Sequence, residues 1–256
     1  MTREKAMAAL EHFCSFPLST SQGVLAEFAK LPRAIARFDG DKHNFVYVPG
    51  TREDRVLLIA HADTVWDTFY DKGYFEQTLK KTVTDEGVVY VGTDPSCGIG
   101  ADDRAGCAML WLLRESGHSL LITDGEERGQ IGAHYIREHA PELFDELNRH
   151  RYMIQLDRRG KSDYKVYHLP VSREFLSFVE RATGYQDAGR LARTDIVALC
   201  RDVCGVNLSI GYYDEHKPEE RLVFEDWYHT LTLVEGMLAG EQCHYPLAPA
   251  DREGEA

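Results

Sequence analysis

Short apolar runs of strand length alternate with longer amphipathic stretches through most of this 256-residue chain, and that alternation predicts an α/β fold. Two further observations sharpen the prediction. The run Arg55–Ala60 (RVLLIA) is almost continuously apolar, as a strand buried on both faces should be. No Pro/Gly/Ser-rich linker interrupts the interior of the chain. The expected architecture is a single-domain three-layer α/β/α fold with a mixed, mostly parallel twisted sheet. It should occupy residues 1–245, with a disordered tail over 246–256.

The elements follow in order. The opening MTREKAMAALEHF reads as an amphipathic helix and not a signal peptide, because Arg3, Glu4 and Lys5 are charged and no long apolar stretch follows. Strands are expected at Ala34–Phe38 and Asn44–Val48, joined by a hairpin turn at Asp39-Gly40-Asp41. After RVLLIA, residues 66–96 read as an excursion rich in aromatic and charged residues, with one short strand at Val88–Val91. Asp102 opens a helical pattern that stops at Gly117, with acids in its first turn where the helix dipole favours them. Ser119–Thr123 (SLLIT) is a second buried strand, leading through DGEERG into a helix at Gln130–His139. Tyr152–Leu156 (YMIQL) is a third strand and ends at Asp157. A short run at Tyr164–His168 comes next, then a helix at Arg173–Ala182 and another from Thr194. A strand at Val206–Tyr212 and a final helix at Phe224–Leu238 complete the pattern.

Charge and composition narrow the function. With 29 Lys+Arg against 42 Asp+Glu, the net charge is −13. That balance argues against nucleic acid, which needs clustered basic residues, and against an anionic membrane surface. The longest apolar run falls far short of the ~20 residues that a bilayer requires. Six scattered cysteines with no export signal read as free thiols in a reducing cytoplasm. Cys200 and Cys204, four apart, would share a helix face and offer half a zinc site, but no second Cys/His pair of suitable spacing follows.

The informative residues are those at the strand ends. His61 and Asp63 follow RVLLIA, Glu126 and Glu127 follow SLLITDG, and Asp157 follows YMIQL. Asp102 and Asp103 sit at a turn into a helix, and His216 follows VNLSIGYYDE. Ligands of open α/β sheets bind beyond the carboxyl ends of the strands. Taken singly, such a histidine reads as structural, acids at helix starts as caps, and a Glu-Glu pair as a solvated face. Jointly they are like charges converging on one sheet edge, a costly arrangement unless cations are bound there. Imidazole and carboxylate without thiolate suit Zn²⁺, Co²⁺ or Mn²⁺.

HADTV (His61–Val65), GIGADDRAG (Gly98–Gly106), DGEERGQIGA (Asp124–Ala133), QLDRRG (Gln155–Gly160) and GYYDEHKPEE (Gly211–Glu220) together resemble the ordered motifs of the co-catalytic di-zinc exopeptidases. That superfamily includes bacterial aminopeptidases, tripeptidases, carboxypeptidases and aminoacylases. The resemblance implies two divalent metals, zinc first, with cobalt or manganese as alternatives. His61 and Asp157 would bind the first metal, Glu127 and His216 the second, and Asp102 would bridge both. Asp63 would orient the His61 imidazole, and Glu126 would be the general base for water activated by the metals.

The implied activity is cleavage of an amide bond, as an exopeptidase of aminopeptidase type acting on small peptides. A deacylase of N-acyl amino acids at the same site is the alternative, and a non-catalytic metal-binding module a second. Only 59 positions separate Asp157 from His216, where many relatives insert a lid domain, so the compact type is expected. Arg193-Thr194-Asp195 resembles a segment near the family's substrate end but also reads as a plain helix N-cap. Trp66, Phe69, Tyr70, Tyr74 and Phe75 would either wall a pocket or pack beneath a loop. The oligomeric state is not legible.

Overall fold

The computed structural model describes residues 1–39, 43–69 and 77–248. The first half contains α1 (Arg3–Cys14), α2 (Gln22–Ala29), β1 (Ile35–Arg37), β2 (Phe45–Val48), β3 (Leu57–His61), α3 (Val65–Phe69), β4 (Leu79–Thr84), β5 (Gly87–Gly92) and α4 (Ala101–Leu113). Then come β6 (Ser119–Thr123), α5 (Ile131–His139), α6 (Pro141–Leu147), β7 (Met153–Arg158), β8 (Asp163–Lys165) and α7 (Arg173–Thr183). The chain ends with β9 (Gln186–Asp187), α8 (Asp195–Leu199), β10 (Gly205–Ser209), β11 (Tyr212–Tyr213), β12 (Arg221–Val223) and α9 (Phe224–Leu238).

The main sheet has the order β1-β2-β6-β3-β7-β10-β8-β9. Its centre, β6-β3-β7-β10, is parallel; β1 and β2 pair antiparallel with their neighbours, and β8 is antiparallel to β10 but parallel to β9. Alternate strand residues point to opposite faces. Leu58, Ala60, Leu120, Ile122, Ile154 and Val206 pack beneath α1, α2, α4, α7 and α9. Leu57, Ile59, Leu121 and Met153 meet α5, α6 and α8 on the other side. Both faces are therefore covered, which is why RVLLIA and SLLIT read as continuous apolar runs. The Trp227 indole donates to the Ala105 carbonyl at 3.0 Å and ties α9 to α4.

Register sets the site. Leu57 lies opposite Met153 and Ile59 opposite Gln155, so continuing the ladder two residues brings His61 level with Asp157 on the adjacent strand. His61 also pairs with Thr123, just before the turn that carries Glu126 and Glu127.

Several expectations are corrected. Residues 66–96 hold not one strand but the hairpin β4-β5, which joins β12 and β11 in a second sheet ordered β11-β12-β5-β4. The strand β4 (LKKTVT) is exposed along nearly its whole length and has no apolar alternation to betray it. The helices α2 and α6 were also unforeseen. Cys200 and Cys204 do not share a helix, because α8 ends at Leu199, and all six cysteines are free thiols. The tail expected to be disordered from Pro246 is held through Ala248, whose amide donates to the Pro170 carbonyl at 2.8 Å. Residues 249–256, and Gly40 and Asp41 of the expected hairpin turn, lie outside the described residues. The chain between Asp157 and His216 is taken up by β8, α7, β9, α8, β10 and β11, with no inserted lid. No helix among the described residues is long and apolar enough to cross a membrane.

Candidate metal centre and active site

The first acid of the Asp102-Asp103 pair occupies the middle of the site. One carboxylate oxygen, Oδ1, is 3.1 Å from His61 Nε2, and the other, Oδ2, is 3.1 Å from His216 Nε2. Asp157 Oδ1 lies 3.4 Å from His61 Nε2, while Glu127 Oε1 lies 3.0 Å from His216 Nε2. Glu126 Oε2 is 4.0 Å from His61 Nε2. The structure thus brings together all seven residues singled out above, with Asp102 between two half-sites.

Local backbone geometry explains how Asp102 gets there. Both acids have non-helical dihedrals inside the first turn of α4. Asp103 is the helix cap, since its Oδ1 accepts from the Gly106 amide at 2.9 Å and its Oδ2 from the His61 amide at 3.1 Å. Capping therefore accounts for Asp103 and leaves Asp102 free for other work. Gly106 is required by close approach, because a Cβ there would run into the Leu156 carbonyl and the Asp103 carboxylate. Glu220 holds the turn from the other side, accepting from the Gly100 and Asp102 amides at 2.7 and 3.0 Å. Burial pushes its pKa up to about 8.

Asp63 performs two tasks. Its Oδ1 lies 3.3 Å from His61 Nδ1, which turns Nε2 toward the site. Its two oxygens also accept from the Glu126 and Glu127 amides, both at 3.2 Å, and so fix the turn bearing those acids. His216 sits on the loop between β11 and β12 with φ of 64°, a left-handed conformation uncommon outside glycine. Asp214 (φ 58°), Tyr167 (φ 55°), Gln130 (φ 58°) and Ala192 (φ 79°) share it, as does Arg33 (φ 66°) away from the site. Strained backbone of this kind collects at functional sites.

The donor set fits two divalent cations. Each Nε2 faces two or three carboxylate oxygens, more than one N–H can serve. Ligands about 2.0–2.1 Å from a tetrahedral metal stand about 3.3 Å apart, close to these spacings. Two overlapping groups that share His61 present ligand atoms within 4.8 Å of one another, His61 with Asp103 and Asp157, and His61 with Asp102 and Glu127. The electrostatics agree. Burial raises the pKa of Glu126, and Asp157, Asp195 and Glu127 raise it further, outweighing His61. Burial and then Asp102 push Glu127 up to about 7. Hydrogen bonding to Asp102 and Glu127 lifts His216 to about 11. Burial pulls the His61 pKa down, but Asp157, Asp102 and Asp63 outweigh it and hold it well above its ordinary value. The cluster holds more negative charge than its own imidazoles balance, so it favours added cations.

A second tier of residues was missed or misjudged. Thr194 reads in the sequence as a helix cap, yet its side chain caps nothing. Its hydroxyl donates to Asp157 Oδ2 at 2.8 Å and accepts from Gln155 Nε2 at 2.7 Å. Gln155 Nε2 is also 2.9 Å from Asp157 Oδ2, and Asn207 accepts from the Asp157 amide at 3.1 Å. The available signal was a polar residue inside each apolar run, Gln155 in YMIQL and Asn207 in VNLSI. Asp195 is fully buried, accepts from the Thr123 hydroxyl and is pushed up to about 7 by burial. Trp66 is buried with Leu18, Val65 and Cys97, in packing and not at the pocket. Nothing is described of the Phe69 side chain, and Tyr70, Tyr74 and Phe75 lie outside the described residues. If Asp157 serves as a metal ligand, Thr194→Val should weaken metal binding about 10–100-fold, the usual cost of losing a ligand's outer partner, while α8 keeps its helicity. Competition against a chelating dye, with circular dichroism, tests this.

No family model and no curated protein matches the chain. Solved structures do. The aminopeptidase PepT from Bacillus cereus ATCC 10987 superposes with a TM-score of 0.65 at 15% identity, covering 94% of this chain and 100% of that one. A tripeptidase from Staphylococcus aureus subsp. aureus mu50 gives 0.63 at 14% identity, covering 92% and 97%. An aminopeptidase from the archaeon Desulfurococcus kamchatkensis gives 0.60 at 14% identity, covering 92% and 95%. The chain has the α/β fold of these peptidases.

Proposed function

We propose that the chain is a di-metal amide hydrolase of the co-catalytic zinc exopeptidase superfamily, an exopeptidase of aminopeptidase type acting on small peptides in the cytoplasm. One observation carries the reading: the two oxygens of Asp102 face two separate imidazoles, each with a further carboxylate beside it. The fold shared with aminopeptidases supports it.

His61, Asp157 and one oxygen of Asp102 would hold the first metal; His216, Glu127 and the other oxygen would hold the second. Bound there, a pair of divalent cations, zinc foremost, supplies Lewis-acid polarisation of the scissile carbonyl and a water of lowered pKa. The remaining chemistry belongs to the chain. Glu126, which neither imidazole needs as a close partner, takes the proton of the attacking water and passes it to the leaving nitrogen. A carboxylate whose pKa is raised by burial and by neighbouring acids is suited to receive that proton and to give it up again. Asp63 keeps Glu126 aimed by holding its amide, and Thr194 with Gln155 keeps Asp157 aimed. The cavity above these groups, about 240 Å³, suits a small substrate.

The test is metal content after reconstitution, with a panel of aminoacyl anilides, dipeptides and N-acyl amino acids. About two transition-metal ions per chain and hydrolysis of at least one amide class are expected. Fewer than one bound ion per chain would overturn the two-metal reading.

A further inference from the structure

The floor of the site is acidic, but its wall is not. Arg158, Arg159, Lys165 and Arg193 all line the same cavity. A simple account would have them neutralise the floor carboxylates. No direct ion pair does so, since none of the four comes within 4.0 Å of a carboxylate oxygen of Asp102, Glu126, Glu127 or Asp157.

Two of the four are balanced elsewhere. Arg158 forms a two-pronged pair with Asp163 at 2.8 and 2.9 Å, and Arg159 pairs with Glu215 at 2.6 Å. The other two are not. Lys165 Nζ donates only to the Leu191 carbonyl, at 2.8 Å, and has no carboxylate partner. Burial, followed by the nearby Arg158 and Arg159 guanidinia, pulls its pKa down and outweighs Asp163 and Asp187, which raise it. Arg193 makes no hydrogen bond or ion pair among the described residues. The same lysine contact, with Arg190 donating to the Tyr167 carbonyl at 3.0 Å, fastens the loop bearing Arg193 against β8. Lys165, half-buried, and Arg193, exposed, therefore line one wall of the cavity without a carboxylate in ion-pair reach. Two divalent ions would match the four floor carboxylates charge for charge, leaving these two as the excess charge facing a substrate.

We propose that Lys165 and Arg193 form a carboxylate-binding subsite that selects short amides ending in a free carboxylate close to the scissile bond, such as dipeptides and N-acyl amino acids. This rests on the amide-hydrolase reading. The scale is consistent. The strand β8 lies two strands from β7, about 10 Å across the sheet, and an extended chain advances about 3.3–3.6 Å per residue. Lys165 lines the same cavity as Asp157, so a carboxylate bound there would fall within about three residues of the scissile amide.

The experiment compares matched carboxylate and carboxamide pairs, a dipeptide with its C-terminal amide and N-acetylleucine with N-acetylleucinamide, on the metal-loaded chain. The carboxylate member of the cleaved pair should be favoured at least tenfold in kcat/KM. Lys165→Met and Arg193→Gln should each reduce that ratio about tenfold, chiefly through KM, and Lys165→Arg should preserve it. A ratio near one, or a ratio unchanged in the double variant, overturns the subsite. Calorimetric titration of N-acetylleucine and its amide into the metal-loaded Glu126→Gln protein and into metal-free protein separates this question from catalysis. If no amide is hydrolysed, the amide-hydrolase reading falls, yet carboxylate-selective binding lost in Lys165→Met supports the subsite. Equal binding of acid and amide, or none, overturns it.

Discussion

Glu126→Gln is expected to lower turnover about a hundred- to ten-thousandfold, the range that general-base catalysis supplies, while the full metal complement stays bound. The substitution keeps the side chain's volume and shape and removes only its capacity to take a proton. Glu126 is the site acid least committed to an imidazole, its nearest oxygen 4.0 Å from His61 Nε2 against 3.0–3.4 Å for the candidate ligands. Its amide, which Asp63 holds, is untouched by the change. Stability should not suffer. Burial holds the folded-state pKa of Glu126 well above the unfolded value, so at neutral pH the ionised group opposes folding, and a neutral amide relieves that. The variant should therefore unfold, in chelator, at the same temperature as the parent or higher. Activity within a few-fold of the parent would remove Glu126 from the base role. Lost activity together with lost metal would make it a ligand.

How much of this was legible beforehand depends on how local each signal is. Apolar run length and composition are local, so β3, β6 and β7 could be read from RVLLIA, SLLIT and YMIQL, and α9 was placed at both ends. The acids at the strand ends were visible for the same reason. Register is not local. That His61 comes level with Asp157 follows from how β3 pairs with β7, which neither segment encodes alone. The second sheet was hidden because β11 and β12 are too short for a periodicity and β4 shows its side chains to solvent. Yet that sheet positions His216, a ligand candidate found through its motif and not through any element. Thr194 illustrates the opposite failure. Its place before a helix made capping the ordinary reading, and only the geometry reveals that its hydroxyl points to Asp157. Glu220 lay in plain view at the end of GYYDEHKPEE, but its partners, the amides of Gly100 and Asp102, are more than a hundred residues away in sequence.

Asp102→Ala should remove both metals at once, and this is the sharpest consequence of the geometry. Among the site acids, Asp102 is the one whose two oxygens meet different imidazoles, His61 through Oδ1 and His216 through Oδ2. Asp157 lies near His61, and Glu127 pairs closely with His216, so losing either should empty mainly one half-site. Deleting Asp102 deprives both halves of an anionic ligand together. It also removes the charge that helps balance two cations a few ångström apart, whose repulsion then weakens each site further. The affinity loss should exceed the roughly 10–100-fold expected when a ligand loses an outer partner. Metal counting by mass spectrometry after dialysis decides the matter. Near-zero metal in Asp102→Ala, against about one ion in Asp157→Ala and in Glu127→Ala, is the expected pattern. Two sites that lose metal independently, with Asp102→Ala emptying only one, would mean that Asp102 serves a single ion and that no bridge exists. Thermal unfolding in chelator guards against a trivial cause. Glu220 and Asp103 hold the turn through backbone amides, so the metal-free variant should still fold.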